Sequence, residues 1–573
     1  MKLRADIVDP HISSWITNYS GKYARLFQTD AQLAGGLSKT TWTNGSLSQS
    51  LPVYSGVQEI YSSSNWVYVR STGLGSHTMG PWYNDATRTT LFVNIAVNQR
   101  VLFRIPRIPT VPSTKVTVGG DIGYFVDGVD GFDSRDAVSY INSTGVDGNP
   151  PGGAGSSGDG VWNRDAYKNE AVTFDPALAH QQDTGVYHYH ANPIATRYLL
   201  GDHVAFTAGI TNGYIERTNA PTQHSPIVGW AKDGFPIYGP YGYSVSNDAS
   251  SGIRRMVSGF VLRNGQYGTT NLASTGRTTL PAWAARAGNR SATLVSTSYG
   301  PAVSTSFPLG RYTEDNDYLG DLGFVQGTNT FDLDEYNGRI CITPEFPTGT
   351  YAYFVTITSN GLPTYPYNLG KQYYGNPTGS TIQTISETVT TNFLGGTNIM
   401  ARLSTPTVAP STVTLLWSAV EGGTYRVETS STLTNWTPKA TNVAQGISLQ
   451  TNITRGSTPE FYRVARTAVA SFDNAGTNVF STPGFAPGGS ASRGSTVTLL
   501  ITLTAPPTLP PANAMPASIT LGSIAGTGIS HPSTNMVQAT FVIPANASTG
   551  SQNVIVTFSP GPTYTLTGGF TIN

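Results

Sequence analysis

Glycine and proline interrupt this chain at short intervals, 63 and 37 of its 573 residues, and the apolar residues between them recur with a period of two. In "STVTLLWSAVEGGTYRV" (411–427), Val413, Leu415 and Trp417 alternate before a Gly-Gly break, and Tyr425 and Val427 resume the pattern after it. Period two places alternate side chains on one face of a strand, and frequent glycine and proline favour short strands joined by turns over helical bundles. The fold class expected is mainly β: a large β-rich N-terminal domain followed by two small β-sandwich domains.

The boundaries follow changes of texture. Residues 1–380 hold seven of the eight histidines and form the first expected domain. A polar stretch then reads as a linker over 381–404. Residues 405–467 carry the alternating pattern above and form the second domain. The third, 468–573, has two charged residues, Asp473 and Arg493, among strands such as "ASITLG" and "TVTLLITLTAP". So uncharged a surface suits self-association or contact with a polysaccharide or cell surface, and a spacer is the plainer reading.

Charge and cysteine content narrow the function. Lysine plus arginine and aspartate plus glutamate both total 33, so no net field draws nucleic acid, and none is expected as a partner. Cys341 is the single cysteine, which excludes an intrachain disulfide and a thiolate-rich metal site. No run of about 18 apolar residues occurs, so no membrane span is expected. The opening "MKLRADIVDPHISSW" lacks the apolar core of a signal peptide. Low charge and long Ser/Thr/Gly/Asn tracts nevertheless suit an extracellular or cell-surface protein, with its signal removed.

Five histidines fall between 180 and 224: His180, His188, His190, His203 and His224. In "GVYHYHANP" (185–193) a strand would put His188 and His190 on one face and Tyr187 and Tyr189 on the other. Two imidazoles on adjacent rungs of one face can reach one ion, and a third completes a common zinc or copper set. His224 is the preferred third ligand, and His180 the candidate for a fourth. Asp233, Glu335, Tyr187 and Tyr189 are candidates for orienting an imidazole or moving a proton. Copper or zinc is the divalent ion expected. A cupin would need Glu where Ile194 or Ala195 stands. A metal-free hydrogen-bonded network and metal-free acid–base chemistry stay open as alternatives. The acidic loops 123–137 and 313–323 offer oxygen for calcium but lack the spacing of an EF-hand. The aromatic loop "DGFPIYGPYGY" (233–243) suits burial or stacking on a sugar.

Five ordered blocks carry a family resemblance: "GVYHYHANP", "HSPIVGWAKDGFPIYGPYGY" (224–243), "LDEYNGR" (333–339), "TPEFPTGTYAYFVT" (343–356) and "PYNLGKQYYG" (366–375). Over about 160–375 the chain resembles the YHYH-domain proteins, which implies a secreted or surface-associated, β-rich, often multidomain protein without a settled activity. Residues 405–467 resemble fibronectin type III-like modules at Trp417, Tyr425, Trp436 and "FYRV". "FVIPANASTGSQNVIVTF" (541–558) is similar to the closing hairpin of IPT/TIG-type immunoglobulin-like domains. The function expected is an exported metal-binding protein, with or without enzymatic activity. The alternative is a structural cell-surface or extracellular filament subunit that assembles through its sandwiches.

Overall fold

A computed structural model describes residues 9–150, 155–327, 330–456, 458, 460–473, 489–502, 515–533, 536–558 and 563–573. Within them the protein is mainly β, and its α-helices are six residues long at most, as the spacing of glycine and proline requires. The expectations for residues 1–8 and for the end of "TVTLLITLTAP" from 503 onward fall outside the described residues. No helix among those described is long and apolar enough to cross a membrane. The chain divides into two compact units. Of the described residues, those within 1–60, 64–380 and 392–475 form one, and those within 61–63, 381–391 and 476–573 form the other.

An eight-stranded mixed sheet organises the first unit. Its strands are β1 (Asp121–Phe125), β2 (Asp130–Phe132), β3 (Ala179–Gln181), β4 (Tyr187–Tyr189), β5 (Ile227–Ala231), β6 (Pro236–Tyr238), β7 (Gly338–Cys341) and β8 (Thr350–Phe354). The spatial order is β3-β4-β2-β1-β5-β6-β8-β7. Strand β4 runs parallel to β2, and β6 parallel to β8. Both faces are covered: Tyr124 of β1 packs with Phe103, Trp230 and Phe354, while Phe125 beside it packs with Tyr187, Tyr189 and Tyr353. Burial on both sides explains why "IVGWA" of β5 reads as a continuous apolar run. Gly123 is required where β1 meets β5. Its φ is +145°, and a Cβ there would lie 2.1 Å from the Trp230 carbonyl oxygen.

Residues 405–467 form two three-stranded sheets around a shared apolar core of Val413, Leu415, Trp417, Tyr425, Val427 and Ile453. The alternation visible in the sequence is the alternation of this core. Glu421 ties the module to the N-terminal residues of the same unit. Its carboxylate accepts from the Arg25 guanidinium and, at 2.9 Å, from the Tyr23 amide, while its carbonyl accepts from the Tyr54 hydroxyl at 3.0 Å. The stretch expected as a linker carries a strand, Thr390–Leu394. The second unit contains a five-stranded and a three-stranded sheet, with Ile501, Ile519, Val537, Phe541, Val554 and Phe570 in one core.

Candidate metal centre

The chemistry begins with a hairpin. Strands β3 and β4 pair antiparallel, and the register sets His180 directly opposite His188. Gly185 turns the chain with φ +78°, and its amide donates to the Gln182 carbonyl at 2.9 Å. Opposed residues share a face, and so do residues two apart, so His180, His188 and His190 converge on one side of the sheet edge. Their ring nitrogens lie within 4.8 Å of one another, and all three side chains are buried. Among the described residues this is the one group of three or more histidine, cysteine or carboxylate side chains placed to hold an ion.

Hydrogen bonding settles which nitrogen of each ring is free. Nδ1 of His188 lies 2.9 Å from the Val186 carbonyl, and Nδ1 of His190 lies 2.7 Å from the Asp133 carbonyl. A carbonyl only accepts, so both Nδ1 atoms carry the proton. The Thr173 hydroxyl donates to the Glu170 carbonyl at 2.7 Å, so it accepts from Nδ1 of His180, also at 2.7 Å. All three Nε2 atoms therefore present lone pairs. Those of His188 and His190 face one another at 3.1 Å. Burial holds all three imidazoles below their usual range, and for His180 and His188 the neighbouring histidines add to it. Phe132 stacks on His188 at 4.0 Å, and Phe174 meets His180 edge-on at 4.8 Å, which keeps the surroundings apolar.

A fourth group completes the cluster. Helix α1 (Ala166–Glu170) is capped by Asp165, whose side chain accepts from the Lys168 amide. Tyr367 donates to that Asp165 carboxylate at 2.7 Å. The helix ends by aiming Glu170 at the histidines. Its Oε2 is buried without a hydrogen-bond partner, 3.3 Å from Nε2 of His190 and 3.7 Å from Nε2 of His180. Burial, assisted by the charge of Asp136, pushes this carboxyl up to about 8. A tetrahedral ion with bonds of about 2.1 Å needs ligand separations of about 3.4 Å; the His188–His190, Glu170–His190 and Glu170–His180 pairs stand at 3.1, 3.3 and 3.7 Å, and the three histidine nitrogens all lie within 4.8 Å of one another. Glu170 was not singled out in the sequence, because a carboxylate 18 residues before His188 has no fixed spacing to it.

The remaining candidates lie elsewhere. His224, expected as the third ligand, lies outside the cluster, whose third imidazole is that of His180. The ring of His224 donates from Nδ1 to the Ser225 carbonyl at 2.7 Å and packs against Tyr238 and Tyr243, each 5.0 Å away. The signal for His180 was the Asp-Thr-Gly turn midway between it and His188, which predicts a hairpin pairing the two. Asp233 accepts from the Tyr353 hydroxyl and the Gly375 and Phe235 amides, and burial pushes it up to about 6. Glu335 pairs with Arg286. Neither of these carboxylates bonds to the three histidines.

Tyr187 and Tyr189 occupy the opposite face, as the alternation predicts. Tyr187 donates to Asp175 at 2.8 Å and accepts from Nε2 of His77 at 2.9 Å. Tyr189 reaches Thr196 at 3.2 Å, and Thr196 donates to Asp127 at 2.6 Å. In the acidic loops, Asp133, Asp136, Asp315 and Asp321 are engaged by Arg135, Arg164, Arg277 and Arg286. Of the aromatic loop, Tyr238 and Tyr241 are buried.

Residues 102–365 match the family described as YHYH protein, a span that holds the whole cluster. No curated protein matches the chain.

Proposed function

We propose that the first unit is an exported metal-binding module in which His180, His188, His190 and Glu170 hold one divalent ion, copper or zinc. The single observation that carries this reading is the meeting of lone pairs from His188 and His190 at 3.1 Å, with both Nδ1 atoms already committed. Three imidazoles and one carboxylate suit these borderline ions, and the single cysteine lies outside the cluster. When bound, the ion would supply Lewis acidity in an apolar surrounding. The protein's part is to fix each imidazole through Nδ1 and to exclude water with Phe132 and Phe174. Glu170 is the side through which exchange with solvent would occur: 25% of its side chain is exposed, against 5–7% for His190 and His180.

The test is elemental analysis of purified protein after zinc and copper supplementation, repeated on the His188→Ala/His190→Ala double variant. About one ion per chain in the wild type and none in the double variant is the expected result. Wild type free of stoichiometric metal overturns the proposal. Export rests on low charge and polar composition, and fractionation of the producing cells checks it: the full chain retained in the cytoplasm would refute that part.

A further inference from the structure

We propose that the first unit carries a second ligand site, independent of the metal reading, in which Lys371 with Arg135 and Arg290 binds the carboxylate of a small organic monoacid. A pocket of about 170 Å³ is lined by these three cations, by Glu314, and by an apolar wall that includes Leu280 and Trp283. Its volume is below that of sites for drug-sized ligands, which points to a molecule of few atoms.

Lys371 is the observation that calls for a ligand. Its Nζ is buried and has no hydrogen-bond partner. Buried ammonium groups are ordinarily paired, because burial removes hydration that nothing else replaces. The carboxylates nearby are already used. Asp133 holds Arg135 at 2.6 Å, and Glu314 spends Oε2 on the Asn163 amide at 2.7 Å and Oε1 on the Asn163 side chain at 2.8 Å. Around the pocket, counting Arg290, which is exposed to solvent, three cations stand against two carboxylates, and Lys371 is the one whose ammonium is enclosed without a partner. Burial, with repulsion from Arg135, lowers the ammonium to about 8, so the charge is largely present at neutral pH. One uncompensated charge beside an apolar wall matches a monocarboxylate with a short hydrocarbon body. A dianion would bring one charge too many.

Asp133 touches both sites. Its backbone carbonyl fixes His190 and its carboxylate fixes Arg135. The two sites are nonetheless separable by mutation, since Lys371 makes no bond to a histidine of the cluster.

The test is thermal unfolding and calorimetric titration of the full chain with sodium butyrate, benzoate and inorganic phosphate, against sodium chloride at matched ionic strength. Saturable stabilisation by butyrate or benzoate is expected. Lys371→Met should weaken that binding about thirtyfold or more, while leaving the ligand-free melting temperature unchanged or raised, because a lone buried charge is gone. Ala287→Phe, which adds bulk to the pocket lining and keeps every charge, should weaken binding as well. Absence of saturable stabilisation above the chloride control overturns the proposal, as does stabilisation that both variants retain. Stabilisation by phosphate alone overturns the assignment to a monocarboxylate.

Discussion

Nε2 of His188 and Nε2 of His190 meet at 3.1 Å as two lone pairs, because the single proton of each neutral ring sits on Nδ1, where it is donated in a hydrogen bond to a backbone carbonyl. Two lone pairs at that distance repel, and a cation removes the repulsion. A proton would do so only against the burial that lowers both groups. This geometry is what the proposed metal reading rests on.

The identity of the third imidazole can be tested directly. His180→Ala should abolish stoichiometric metal, and His224→Ala should leave it intact, as read by elemental analysis of both purified variants. Loss of metal in His224→Ala with His180→Ala still loaded would restore the arrangement expected from sequence and refute the one described.

Glu170 makes metal binding depend on pH. Its carboxyl stands at about 8 in the metal-free protein, against an ordinary 4.5, so at pH 7 an ion must displace its proton. Affinity should therefore rise with pH until about 8. Calorimetry in buffers of different ionisation enthalpy should find about one proton released per ion at pH 7. Glu170→Gln should remove that proton release and weaken binding about tenfold or more. The sign for stability runs the other way. A carboxyl raised on folding contributes stability below its unfolded value, lost as pH climbs toward about 8. Metal-free Glu170→Gln should thus lose less stability between pH 5 and pH 8 than metal-free wild type, a difference that chemical denaturation would measure.

The tyrosines of the motif support the fold from the opposite face. Tyr187→Phe removes the hydroxyl that joins buried His77 to Asp175, which should cost about 1–3 kcal/mol in chemical denaturation. Metal content should not change. A Tyr187→Phe protein of normal stability that had lost its metal would assign this hydroxyl to the site.

Glu421 should behave as the tie between the 405–467 module and the N-terminal residues. Glu421→Ala leaves Arg25 and the Tyr23 amide without their acceptor, and breaking so enclosed a pair costs about 3–5 kcal/mol. The expected outcome is earlier unfolding and faster proteolytic cleavage between 395 and 425. Unchanged proteolysis would show that the module holds its place without this carboxylate.

Some of this was written in the chain itself. Period-two alternation determined that Val413, Leu415 and Trp417 share a core, and that His188 and His190 share a face opposite Tyr187 and Tyr189. Local geometry suffices there, because strand periodicity is a property of the backbone. Which distant residues join that face was decided by tertiary structure. Glu170 enters because a capped five-residue helix ends beside the sheet edge, whereas His180 enters through a local hairpin that its turn residues already signal. His224, alike in type and near in sequence to the motif, lies in the loop before β5 and packs among aromatic side chains instead. A metal set needs atoms within a few ångströms of one point: the local β3–β4 hairpin brings the three imidazoles together, but only the packing of a separate helix against that sheet edge brings the Glu170 carboxylate to them.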